Sequence, residues 1–539
     1  KKGLEWFFSR FNRWFDKISG SYTNGVRKWI KGTPYVLVMM ICLFVGLFFL
    51  FQNKSTGFIP TEDEKRFYVT YEMAEGTSTN RSIEMQLELQ KRIMTLPSLE
   101  VVGGLAGLNI LTFSNKSNVG TLFVNLKHWD ERDPETESVE KIIGQVMAMT
   151  SDIKEARVLA IAPPPIPGLG RSSGFTFELL QTSSPDDIFG FEATMQKFIA
   201  AANQRPEIAA AYSFFSARTP AYQVDLDKEK AKKMGVNVAQ AYGTLSTLLA
   251  SSYVNDFNIY GRNFRVVTQA DTVYRKDIDD IGKYFVKNSM GEMVPLSALI
   301  TTKVIETPAL ISHYNIYRSA EILGTYAPGY SSGDAIKALQ EVAAEVLPTG
   351  YSYEFGGMSY EEVKAGNTQS IIFLVSIVFV FLFLAALYES WSIPFSVLFA
   401  VPIGAFGSIL TLTLLPGLTN NIYAQIGLIT LIGLAAKNAI LIVEFAKERV
   451  DAGGDIIEST LEAVRLRLRP IIMTSLAFIL GVLPLAISTG AGAEARKTIG
   501  WTVAGGMVAA SSLAIFVVPV LYVAISKIAY RRKMKKAAL

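Results

Sequence analysis

The sequence predicts an α-helical membrane protein with six transmembrane helices and a large α+β region outside the bilayer. Three observations carry this. Half of the residues are hydrophobic while 19% are charged, a mixture that divides a chain into apolar spans and a sizeable soluble part. The apolar residues gather into six runs of spanning length with few or no charges. Residues 53–369 separate the first run from the second, and strand-like and helix-like patterns alternate within them.

The opening residues read as an interfacial helix. Phe7, Phe8, Phe11, Trp14 and Phe15 recur at helical spacing with Arg10, Arg13 and Lys17 between them, the pattern of a helix lying among lipid headgroups. Position 1 is lysine, and the chain reads as a fragment or processed product whose upstream part is missing. The first span, Tyr35–Phe51, is uncharged and lacks a small-residue cleavage site, so it reads as an anchor and not a removable signal. The only cysteine, Cys42, lies in it, and a disulfide-free loop of this size suits a bacterial periplasm.

In the loop, Arg66–Met73 reads as a strand, Thr79–Met94 as a helix and Leu99–Leu105 as a strand; Gly120–Leu126, Val139–Ser151 and Ala156–Ala162 repeat the order. This is a split-βαβ (ferredoxin-like) pattern. A second copy is interrupted: Gly174–Leu180, a helix near Phe191–Asn203 and a strand near Ala209–Phe214 precede an insert, and Ala320–Thr325, Ser332–Val346 and Ser352–Phe355 follow it. The insert, residues 218–312, has strands of its own, such as Tyr222–Leu226 and Phe264–Thr268.

The remaining spans are Ile371–Tyr388, Ile393–Leu415, Ile422–Phe445, Pro470–Ser488 and Thr502–Ala524, with kinks expected at Pro402, Pro484 and Pro519. Basic clusters precede the first span (Lys1 to Lys31), precede the fifth (Arg465, Arg467, Arg469) and follow the last (Arg531 to Lys536). An even number of spans puts all three on the cytoplasmic side. The loops Pro416–Asn421 and Thr489–Gly500 then face outward.

One charge stands inside the fourth run. Lys437 lies about 22 Å along its helix at ~1.5 Å per residue. A cation at that depth costs about 2.5–3.5 kcal/mol on insertion scales, so it calls for a partner and a function. Two apolar turns separate it from Glu444 and Lys447, which leaves snorkelling as the weaker account. Glu444 sits near the cytoplasmic surface and reads as structural. Arg467 and Thr474 are seven residues apart, two helical turns, and share a face of the fifth span; Asn438 adds hydrogen-bonding capacity beside Lys437. Such groups can hold a carboxylate while it is charged and release it on protonation, because an adjacent cation lowers a carboxyl pKa. The pattern points to proton- or ion-coupled transport.

Other chemistries find little support. Two histidines and one cysteine cannot build a zinc or copper cage, no GxxxxGK[ST] run is present to bind ATP, and a net charge of +4 does not suggest nucleic acid. No cofactor is expected.

The stretches ALYESWSIPFSVLFAVPIGAFG (386–407), LIGLAAKNAILIVEFAKE (431–448) and RLRLRPIIMTSLAFILGVLPLAISTGAG (465–492) resemble the resistance–nodulation–division efflux pumps, in their hydrophobe/amphiphile branch. SSYVNDF (251–257), AEILG (320–324) and LPTGYSYEFGGMSYEE (347–362) extend the resemblance through the loop. It implies the C-terminal half of a twelve-span proton/drug antiporter of the inner membrane. Residues 1–33 would be the cytoplasmic-surface linker, 34–52 span seven, 53–170 one porter subdomain, 171–217 with 313–369 a second, 218–312 the docking domain, 370–528 spans eight to twelve and 529–539 a basic tail. The implied partners are the N-terminal half, two further copies in a homotrimer, a periplasmic adaptor and an outer-membrane channel. The family's fourth span, which supplies a pair of aspartates facing the lysine, is absent.

Residues 103–120, with Gly103, Gly104, Gly107 and Gly120, resemble the family's switch loop and read as a flexible gate. Ile110, Leu111 and Phe113 would sit on it and Phe123 on the strand that follows. Ile161, Leu169, Glu321 and Leu323 match positions lining an outer drug pocket, which takes small amphiphilic drugs. The Pro-rich run 162–170 reads as a subdomain linker. Two alternatives stay open: an exporter of lipids or another amphiphile, and a membrane-anchored binding or assembly protein without transport. Buried intramembrane charge speaks against the second.

Overall fold

The computed structural model describes residues 2–134, 136–183 and 187–537. The side chains of residues 2–9, 11, 367–370 and 529–537 lie outside the description, and with them those of Phe7, Phe8, Phe11 and the basic cluster from Arg531 to Lys536. The chain forms two compact units, residues 1–214 with 312–539, and residues 215–311.

The first unit opens with α1 (Lys2–Lys31) and α2 (Thr33–Asn53). A sheet follows from β1 (Arg66–Met73), α3 (Thr79–Ile93), β2 (Leu99–Asn109), β3 (Ser114–Leu126), α4 (Val139–Met149) and β4 (Ala156–Ile161). Its strand order is β2-β3-β1-β4, all antiparallel. Both helices start on serine caps: Ser78 accepts from the Arg81 N–H and Ser138 from that of Lys141. Leu89, Ile93 and Val146 then bury against Phe67, Val69 and Val124 of the sheet. Next come β5 (Phe175–Gln181), α5 (Ile188–Ala202) and β6 (Ile208–Ser213).

The second unit holds β7 (Thr219–Leu226), α6 (Lys228–Lys233), α7 (Val238–Leu245), β8 (Ser252–Ile259), β9 (Arg262–Thr268), β10 (Phe285–Lys287), β11 (Met293–Pro295) and β12 (Ile300–Thr307). Strands β7 and β12, β8 and β9, and β10 and β11 pair antiparallel. Its core is small, centred on Leu245, Ile281, Val286 and Leu296.

Back in the first unit, β13 (Ser312–Tyr314), β14 (Tyr317–Tyr326), α8 (Ser332–Val346) and β15 (Tyr351–Phe355) complete a second sheet. Its order is β13-β14-β5-β15, and β6 also pairs with β14. A reciprocal box between Ser331 and Asp334 starts α8.

The membrane part comprises α9 (Gly357–Tyr388), α10 (Pro394–Leu398), α11 (Ala400–Leu414), α12 (Ile422–Asp451), α13 (Ile456–Ala486), α14 (Ala493–Ala509) and α15 (Ile515–Ala537). With α2 they give, among the described residues, six segments long and apolar enough to cross a membrane. Small residues let α11 and α14 touch: a β-carbon at Gly407 would overlap Ala509, and the Ser408 hydroxyl donates to the Thr502 carbonyl at 2.6 Å. Helix α1 lies against α13 and α15, with Tyr22 donating to the Ile515 carbonyl at 2.7 Å and Val26 fully buried.

Three sequence-based boundaries change. The fifth span starts at Ile456, not Pro470: the charged run through Arg469 continues the helix below the apolar part, and Pro470 sits in its interior. The sixth starts at Ala493 and not Thr502, so the outer loop shrinks to residues 487–492. The third is broken at Phe399, where Pro402 offers no N–H to the Leu398 carbonyl, and is not merely kinked. A π-helical turn at 510–514 precedes Pro519.

Candidate functional site

Two clusters of charge have the makings of a site. The first is on the faces of α12 and α13. Asn438 is buried and its Nδ2 donates to the Ser475 hydroxyl at 3.0 Å, which locks the two helices together. Lys437, next to it, points the other way and is exposed. Its ammonium stands 5.7 Å from the Phe478 ring centroid, and the Arg467 guanidinium 4.9 Å from that of Phe445. The Arg467 Nε is buried without a hydrogen-bond partner. Thr474 bonds only its own helix, through the Ile471 carbonyl at 3.1 Å. Among the described residues no carboxylate pairs with Lys437 or Arg467. In its apolar stretch α13 is much less buried than α12, so α13 presents an open face there. Lys437 and Arg467 are therefore cations set against aromatic rings.

The second cluster lies where the two sheets of the first unit meet. Glu321 on β14, Glu178 on β5 and Glu354 on β15 are directly opposite one another, so the three carboxylates share a face. Burial pushes the Glu178 carboxyl up to about 7; Glu321 beside it pushes the same way, while Ser319 and Arg171 pull down. Burial also raises Glu321, and Arg171 opposes it. The Asn315 amide donates to Glu354 at 2.9 Å.

Of the sequence-predicted pocket residues, Leu111, Ile161 and Leu323 close on one another as a buried apolar knot, with Ile110, Tyr68, Tyr212 and Phe214 packed around it. They are filled core here. Phe123 is half-buried against the Tyr68 ring, centroids 5.5 Å apart. Leu169 is half-buried in the linker, apart from the knot. Phe113 is 65% exposed with φ +51°, a strained left-handed backbone for a non-glycine residue. The expected loop conformation of residues 103–120 is replaced by paired strands. Gly103, Gly104 and Gly107 lie in β2 and Gly120 in β3, which zip into a hairpin and leave only 110–113 as its turn. Cross-strand pairing overrides the local glycine content.

Sequence reasoning missed Arg171, Glu178 and a junction at residues 54–63. The Lys54 ammonium donates to the Leu412 carbonyl at 2.8 Å, and Thr56 bridges Asn420. The Glu62 carboxylate accepts from the Glu494 and Ala495 N–H groups at the start of α14, at 3.3 and 3.0 Å. Asp63, its neighbour, accepts from Arg132 at 2.9 and 3.1 Å and from the Val139 N–H at 3.1 Å. Burial alone would raise Asp63, but Arg132 and the N–H groups of Lys65 and Val139 outweigh it and hold the carboxyl low. Two consecutive acids thus tie a membrane helix to the first sheet. For Glu178 the signal available was a carboxylate within a mostly apolar strand, FTFELLQ.

Residues 1–526 match the AcrB/AcrD/AcrF family. The chain belongs to that family of membrane efflux transporters. Similar relatives include the toluene efflux pump membrane transporter TtgB of Pseudomonas putida, 39% identical over 97% of this chain and 49% of that protein. The multidrug resistance protein MdtF of Escherichia coli is 40% identical over 98% of the chain and 51% of its own length. The multidrug export protein AcrF of Escherichia coli is 41% identical over 97% and 50%. The chain spans about half the length of these curated relatives. The six apolar helices fit such a multi-pass transporter.

Proposed function

We propose that this chain is the C-terminal half of a proton/drug antiporter, and so a transporter and not an enzyme. It would export amphiphilic toxic compounds from the inner membrane of a Gram-negative bacterium. The single observation that carries the reading is the open face of α12 and α13 bearing Lys437, Arg467 and Thr474, in a chain belonging to an efflux family. A carboxylate brought to that face from outside the chain is held by Lys437 and Arg467 while charged and let go once protonated. Alternation between the two states is what an antiporter needs from its coupling site. The two antiparallel sheets are assigned as split-βαβ porter subdomains in the periplasm, residues 218–312 as the docking domain, and the meeting of the sheets as the drug path. The whole pump would be a homotrimer engaging a periplasmic adaptor and an outer-membrane channel.

The test is dye efflux in a pump-deleted Gram-negative host that supplies adaptor and channel. The chain alone should not export, because an alternating-access device of paired repeats needs both halves. Co-expression with a matching N-terminal half should restore export. Efflux from the chain alone would overturn the half-transporter reading.

A further inference from the structure

Arg171 is the residue at the meeting of the two sheets that no reading above uses. It lies in the linker between β4 and β5. One nitrogen of its guanidinium, Nη1, donates to the Leu111 carbonyl at 2.6 Å and to the Glu321 carboxylate at 3.2 Å. The guanidinium carbon stands 5.6 Å from the Phe113 ring centroid. A carboxylate, the face of an aromatic ring and an inward carbonyl oxygen are the three partners with which a protein recognises an organic cation. Leu111, whose carbonyl takes the Arg171 bond, belongs to the buried apolar knot with Ile161 and Leu323. The side chain of Arg171 is 40% exposed and that of Glu321 25%, so a ligand can reach the pair from solvent.

We infer that Arg171 is a specificity-determining residue whose guanidinium fills a subsite for the cationic head of an amphiphile. The inference rests on the proposed reading of the meeting of the two sheets as the drug path. Arginine stays charged at every physiological pH, so it neutralises Glu321 permanently and occupies the ring face. An organic cation must displace it to bind; a neutral amphiphile need not. The same nitrogen holds the turn 110–113 by its carbonyl, so displacement also releases the turn. Arg171 is thus a built-in competitor that biases the groove against cations.

The test is fluorescence-polarisation binding of ethidium, a lipophilic cation, and Nile red, a neutral amphiphile, to the purified chain in amphipol. Arg171→Gln should tighten ethidium about ten-fold and change Nile red by less than about two-fold, the scale of one desolvated cation–ring and ion-pair site. Arg171→Lys, which keeps the charge, should stay with the parent. The gain should vanish in Arg171→Gln/Glu321→Gln, and Glu321→Gln alone should weaken ethidium while sparing Nile red. Equal change in both dyes, or none, in Arg171→Gln overturns the inference. Should that variant not fold, unchanged ethidium binding in Glu321→Gln overturns it equally. Failure of the parent and all variants to bind either dye would remove the groove reading itself, a result distinct from both.

Discussion

The membrane face and the extramembrane groove both set a cation against an aromatic ring, yet only the groove completes the pair. Arg171 has Glu321 at 3.2 Å and a ring at 5.6 Å, all from this chain. Lys437 and Arg467 have rings at 5.7 and 4.9 Å and no carboxylate among the described residues. A completed ion pair sets a default state that a ligand must break. On the readings proposed above, the groove's pair suits a local selectivity device, and the membrane face a coupling site that takes its carboxylate from a second body.

The largest expected effect follows from the uncompleted pair. In a full-length pump built with this half, Lys437→Ala should reduce dye efflux to the level of a pump-less host while the protein still assembles. Removing an exposed charge opens no core cavity, whereas the buried Asn438 that locks α12 to α13 is untouched. Arg467→Ala and Thr474→Ala should weaken efflux in the same direction. Ordinary efflux in the Lys437 variant would mean that the cationic face plays no part in coupling.

The groove should show itself in stability against pH. Burial pushes the Glu178 carboxyl up to about 7 in the fold, from the ordinary 4.5. Its folded form therefore holds a proton that the unfolded chain has lost, and stability falls as pH rises between those two values. Glu362, bonded to the Ser332 hydroxyl at 2.9 Å and likewise raised to about 7 by burial, works in the same window and sign. Thermal unfolding of the chain should thus give a higher Tm at about pH 5 than at about pH 7.5, and Glu178→Gln should flatten part of that slope. An unchanged slope in the variant would mean that Glu178 is not the buried acid responsible.

How far the sequence led depends on the range of the interactions concerned. Apolar runs and a single lysine inside one of them are local signals, and they led to the spans and to Lys437. Charge density misled at α13, because EAVRLRLRP looks like the end of a span while the helix simply continues past it. The Arg171–Glu321 contact joins a linker residue to β14 across 150 positions, and the facing of Glu178 with Glu321 and Glu354 comes from strand register, neither of which a local pattern encodes. Glycine content at 103–120 suggested a loop, whereas the two strands pair nearly to their tips.

That correction leads to the smallest and most graded prediction, a series of glycine-to-alanine changes along the hairpin. At Gly120 a β-carbon would overlap the Tyr71 ring, which is fully buried and anchored by its hydroxyl to the Ser82 carbonyl at 2.7 Å. Gly120→Ala should destabilise by about 1–3 kcal/mol, the usual cost of overpacking. Gly107 has φ +90°, so Gly107→Ala strains the backbone although nothing crowds the site closer than 3.7 Å. Gly104→Ala needs only the flexible end of Gln86 to move. Gly103 has open space around its β-position and an ordinary φ, so Gly103→Ala should change stability by less than about 0.5 kcal/mol. Thermal unfolding ranks the four, and efflux in the full-length pump should follow the same ranking. If Gly103→Ala left stability intact but lowered efflux of bulky substrates, the strands themselves would have to flex during transport, and the gate could not be confined to residues 110–113.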